Sequence, residues 1–166
     1  MNRLYCWLIL AASAMTFAGC KKSNDYPLEP VIEFKSLSIT PDLLGYDDYA
    51  VLEITFTDGD GDIGLGASDT VPPFINEYKY NVIILFYCDT SGNGLVHWSA
   101  FDDKGRIPVV TPEGNTKAIR GEIKKETIFL PNHRTNMPVR FEVYIYDRAL
   151  HKSNVLTTPT FIVNTQ

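Results

Sequence analysis

Cysteine is scarce in this 166-residue sequence, with only Cys6, Cys20 and Cys88 present. Histidine is as rare, and His97, His133 and His151 share no motif, which leaves neither a clustered zinc-ligand set nor an obvious general base. There is no G-x-S-x-G elbow, no phosphate-cradling glycine loop and no H-E-x-x-H pair. Positive charge is also short: 15 Lys and Arg stand against 20 Asp and Glu, for a net charge of −5. No basic stripe is available to neutralise phosphates, so nucleic acid is excluded as a partner. Carboxylates are plentiful enough for glycoside hydrolysis, yet no pair is singled out by spacing, and the expectation is a protein that is not an enzyme. A 3.6-residue apolar stripe is missing beyond the first 20 residues, which removes helix as the main element.

What is present begins with an export leader. Arg3 charges a short n-region, residues 4–14 form an apolar core, and small residues follow. That core is well short of the roughly 20 apolar residues of a comfortable membrane-spanning helix. The stretch FAGC, residues 17–20, resembles the lipobox of bacterial lipoproteins. The resemblance implies cleavage before Cys20, diacylation of its thiol, and acylation of the new amine. With Cys6 leaving in the leader (1–19) and Cys20 lipidated, Cys88 remains as the sole thiol and no intramolecular disulfide can form. Each buried CH₂ of an acyl chain contributes roughly 0.8 kcal/mol, so two or three chains anchor a small domain firmly. Residues 20–30, rich in polar groups and holding two prolines, read as a lipidated tether.

Residues 31–166 amount to one domain, with 45% hydrophobic and 12% aromatic residues in the whole chain to supply a core. Their pattern has a period of two. Strands are expected at 31–39, 49–57, 77–88, 95–101, 118–130, 139–147 and 155–163, with a short one at 107–110. In the second, Leu52, Ile54 and Phe56 share a face; in the sixth, Val139, Phe141, Val143 and Ile145 do. Seven or so strands separated by Pro, Gly, Asn and Asp predict an all-β, Ig-like antiparallel sandwich of fibronectin type III shape, with a β-barrel as the alternative. Cys88 closes one apolar run and is expected to be half-buried.

The run TFTDGDGDIGLGASDT, residues 55–70, sets four aspartates among four glycines directly behind a strand. Asp58, Asp60, Asp62 and Asp69 occupy relative places 1, 3, 5 and 12 of a calcium loop, and the Gly64 carbonyl falls at place 7. Alternating carboxylates can turn inward around one ion while glycines accept the backbone angles. Oxygen-only donors favour Ca²⁺, with Mg²⁺ second. Ile63 at place 6, Asp rather than Glu at place 12, and flanking strands exclude an EF-hand fold. The alternative is an acidic connection built from ordinary turn formers. If the turns after the second and sixth strands lie at one end, Asp147 becomes a further ligand candidate.

A second resemblance rests on ITFTDGDGDIG and on YIYDRALHKSN, residues 144–154. Together they are similar to small Bacteroidota lipoproteins with one Ig-like sandwich. The resemblance implies a lipid-anchored protein of the cell envelope, at the outer membrane on either its periplasmic or its surface face, acting as a binding or structural module. Two rival readings remain. Trp98, Tyr144 and Tyr146, with Tyr78, Tyr80 and Tyr87, form a candidate platform for a glycan or another envelope protein. A hydrolase with an unrecognised carboxylate site is the other.

Overall fold

The computed structural model describes residues 26–111, 117–131 and 136–165. The leader, Cys20 and His133 lie outside them. The described residues form nine strands and no α-helix, with short 3-10 turns at Asn76–Lys79 and Ser99–Phe101.

One antiparallel sheet contains β1 (Val31–Pro41), β2 (Asp47–Asp58) and β6 (Ile119–Phe129), in the order β1-β2-β6. The second contains β3 (Val82–Cys88), β4 (Val96–His97), β5 (Asp103–Gly105), β7 (Met137–Ile145), β8 (Leu156–Thr157) and β9 (Phe161–Val163). Here β3 and β7 are central; β4 and β5 follow one another along the outer side of β3, and β8 and β9 do so along β7.

Alternation determines which residues face inward. Leu52, Ile54 and Phe56 of β2 and Val139, Phe141, Val143 and Ile145 of β7 are all buried, and they share one core cluster with Ile84 and Phe86 of β3. Two antiparallel sheets closing on a common apolar layer is the arrangement of a β-sandwich. Cys88 contributes a buried thiol to that layer, deeper than the half-buried position expected of it. At its far end the cluster is closed by Ile63 and Ile107, which come from loops.

Four expected strands are altered, and the one expected at 155–163 is split into β8 and β9 around Pro159, which has no N–H to give a ladder. Residues 77–81 form a 3-10 turn and its exit, and β3 starts only at Val82. Within 95–101 only Val96–His97 pairs, because the Trp98 N–H donates to the Phe86 carbonyl and the chain then winds into a turn. Residues 107–110 are not a strand; the short strand lies earlier, at Asp103–Gly105, where it pairs with Val82–Ile84. Apolar content alone suggested Ile107, but that residue is inserted in the core instead of a ladder.

Candidate functional site

The aspartate loop is held by its apolar members. Ile63 is fully buried and Leu65 nearly so, and the Leu65 N–H donates to the Ile107 carbonyl. With these anchors inside, the loop curls tightly against neighbouring backbone. Gly61 (φ +75°) and Gly64 (φ +112°) supply left-handed turns, and a Cβ on Gly64 would lie 2.2 Å from the Pro108 carbonyl oxygen. The place where an EF-hand requires glycine is thus taken by a core residue, and the bend moves one position along.

This curl places Asp58, the last residue of β2, beneath Asp60 and Asp62. Asp147 arrives from the other sheet, two residues beyond β7. One carboxylate oxygen each of Asp58, Asp62 and Asp147 lie within 4.8 Å of one another. Asp58 and Asp147 are 0% and 1% exposed. The further candidate Asp147 therefore stands with the first and third loop aspartates, at relative places 1 and 5. The cluster straddles the two sheets at the pole where the N-terminal segment enters: a Cβ on Gly59 would meet the Tyr26 and Pro27 carbonyls at 2.5 Å.

Hydrogen bonds use one oxygen of Asp58 and of Asp62 but both oxygens of Asp147. Asp58 Oδ2 accepts from the Asp62 N–H at 2.9 Å, and Asp62 Oδ2 accepts from the Ala149 N–H at 3.0 Å. Asp147 accepts from the His151 N–H and faces His151 Nδ1, both at 2.8 Å. The Arg148 N–H donates to the Asp62 carbonyl at 3.3 Å, tying the loop to the turn after β7. The Oδ1 atoms of Asp58, Asp60 and Asp62 are buried and accept no hydrogen bond. Among the described residues, no Lys or Arg forms an ion pair with these three.

Electrostatics reflect that imbalance. Burial, then the charges of Asp60 and Asp62, push the Asp58 carboxyl up to about 7. Burial likewise raises Asp62, with Asp147 and Asp60 adding to it, and burial raises Asp147. His151 is raised by its bond to Asp147. At an effective dielectric of about 20, two unit charges 4.8 Å apart repel by about 3 kcal/mol, so the fully ionised cluster is costly without a compensating positive charge.

Asp69 is placed differently. Its carboxylate faces the Arg148 guanidinium, with Oδ1 to Nη2 at 3.2 Å and a closer Oδ2 to Nη1 contact, and it also accepts from the Gly66 N–H at 2.6 Å. Arg148 holds it below the usual carboxylate range. Arg106 donates to the Gly66 and Asp69 carbonyls, closing this second half of the loop. Place 12 of the calcium-loop spacing thus serves as a guanidinium lock, apart from the three-carboxylate group. Asp147 was legible from its position after a strand, but the roles of Ile63, Leu65 and Arg148 were not: their partners lie 42 to 79 residues away, at Ile107 in the core and at Asp69 in the loop.

The aromatic candidates separate into three groups. Trp98 is partly buried against the core and meets Phe101 edge-on at 4.7 Å. Tyr144 and Tyr146 pack edge-to-face at 5.7 Å, and Tyr78 joins Tyr146 at 5.3 Å. Lys152 Nζ lies 3.7 Å from the Tyr144 ring centre and occupies that face. Tyr87 lies between Arg140 and His97.

No protein-family model, curated protein or solved structure matches this chain.

Proposed function

We propose that the aspartate cluster binds a hard divalent cation, Ca²⁺ in first place, and that the ion fastens the two sheets together at the pole where the chain enters. Two observations carry this reading together: the buried Oδ1 atoms of Asp58, Asp60 and Asp62 lack hydrogen-bond donors, and one carboxylate oxygen each of Asp58 and Asp62 lies within 4.8 Å of one from Asp147, which follows the opposite sheet. Asp58, Asp62 and Asp147 would hold the ion, with Asp60 beside them. Oxygen ligands at that density suit Ca²⁺, whose coordination sphere accepts six to eight oxygens with flexible geometry. Gly64 contributes the left-handed bend, and Asp69 steadies the loop through Arg148.

Around that site, the protein acts as a lipid-anchored module of the cell envelope, non-catalytic and either structural or binding. The leader and the FAGC sequence support the anchor at Cys20. Strand order supports the fibronectin type III-like version of the sandwich: β1, β2 and β6 form one sheet, while β3, β7 and the β8–β9 pair form the other, with short strands beside β3. A glycan platform is less well supported, since Trp98 packs inward and Lys152 covers Tyr144.

Calorimetric titration of the full chain in mild detergent with CaCl₂, then MgCl₂, tests the site. A ligand at a hundredfold excess over Kd that binds only the native state stabilises it by about 2.7 kcal/mol, so a rise in melting temperature over chelator is expected. Absence of heat and of any thermal shift at millimolar concentrations of both ions would reject it. Mass spectrometry of Cys20 tests the anchor, and an unmodified thiol would reject that part alone.

A further inference from the structure

Among the described residues, the outer strand β6 pairs with β2 alone and ends its sheet with an unpaired edge. Its solvent face carries Arg120, Glu122, Lys124 and Glu126, all exposed, so charge alternates along the strand as plus, minus, plus, minus. We propose that this edge is a homodimer interface, in which two copies pair β6 to β6 antiparallel about a two-fold axis through Ile123.

Charge selects that register from its neighbours. With Ile123 opposite its own counterpart, Arg120 faces Glu126 of the second copy and Glu122 faces its Lys124, and the two-fold repeats both pairs. Shifting the axis to Glu122 sets Glu122 against Glu122 and Arg120 against Lys124. Shifting it to Lys124 sets Lys124 against Lys124 and Glu122 against Glu126. Opposite charges directly across a strand pair stabilise and like charges destabilise, so the same four residues that favour one pairing oppose both adjacent ones. Charged edges usually prevent strand addition. Here the pattern opposes foreign strands and slipped registers while remaining complementary to itself, as an isologous interface demands.

Apolar surface lies where the second strand would add. A cavity of about 340 Å³ runs along β6, with an apolar floor that includes Phe56, Ile107, Val110 and Ile123 and a rim that includes Arg106 and Lys125, and Val110 is 50% exposed. Gly121 lets the Phe56 ring lie directly beneath the strand, since a Cβ there would come within 2.8 Å of the ring. Ile123 of the second copy, on the same face as Ile123 across the dyad, is positioned to enter this groove and remove Val110 from water. Glu122 already bonds Lys35 at 2.5 Å and Lys124 bonds Glu126 at 3.1 Å, so the outer face is ordered before the copies meet.

Sedimentation velocity of the full chain in a density-matched detergent tests the interface. The expected species has twice the protein mass of the monomer. Arg120→Glu and, made separately, Glu126→Arg are each expected to weaken dimerisation about tenfold, and the double variant Arg120→Glu/Glu126→Arg to restore it. Both positions are exposed, and circular dichroism checks that each variant keeps its fold; either single variant suffices if the other misfolds. A monomer at every accessible concentration overturns the proposal. A dimer indifferent to both single variants, or one not restored by the double variant, overturns it equally.

Discussion

Asp58 combines complete burial with a carboxyl raised to about 7, and its sign has a direct consequence for stability. Between its ordinary value near 4 and about 7, the folded state holds a proton that the unfolded chain has lost. Folding in chelator is therefore favoured by acidification toward pH 4 and disfavoured as pH rises toward 7, a swing on the order of 4 kcal/mol that denaturant titrations across this range will detect. His151, raised by Asp147, acts in the same direction, since its imidazolium is lost as pH increases. Asp69 acts oppositely: its bond to Arg148 is lost below the usual carboxylate range. Asp58→Asn removes one charge from the cluster. In chelator at neutral pH this variant is expected to gain about 1–3 kcal/mol, while its calcium-dependent thermal shift disappears. Asp69→Asn is expected to behave differently, lowering the melting temperature through the lost guanidinium pair while leaving calcium affinity within about threefold.

At the scale of elements, the loop of residues 59–66 belongs to the core as much as to the surface. Ile63 and Leu65 insert from it, and Gly64 passes so close to Pro108 that no side chain fits. Gly64→Ala is expected to cost about 3 kcal/mol in urea denaturation and to weaken calcium binding, because both strain and overlap fall on the bend that brings Asp58 and Asp62 together. The strands were readable because burial on one face imposes a period of two: β2 and β7 lie within two residues of their expected limits. Residues 107–110 show where that rule fails. An apolar run long enough for a strand is equally suited to filling the end of a core, and only the Asn81 side chain, which accepts from the Ile107 N–H at 2.7 Å, shows which use prevails.

The whole molecule depends on contact between its sheets. Phe86 and Phe141, both fully buried with ring centres 5.9 Å apart, join the two central strands of the larger sheet beneath the smaller one. Phe141→Ala is expected to destabilise by about 3–5 kcal/mol with the strand content retained, measured by thermal melting in saturating calcium. The proposed cation site lies at one pole of the same contact, with Asp58 on the small sheet and Asp147 beyond the large one. Calcium is therefore expected to slow amide exchange at the ends of β2 and β7 more than at the far β1–β2 turn.

Alternation in strands such as β2 and β7, with the continuous apolar run of β3, was sufficient to specify an all-strand protein, and the spacing of Asp58, Asp60 and Asp62 marked the loop that carries them, because both are local properties of successive residues. Which carboxylates meet was decided by the tertiary fold. Asp147 comes 85 residues after Asp62, yet packing brings it into the cluster, while Asp69, seven residues away, turns to Arg148. Sequence distance does not determine such partners; the closing of two sheets on one apolar layer does.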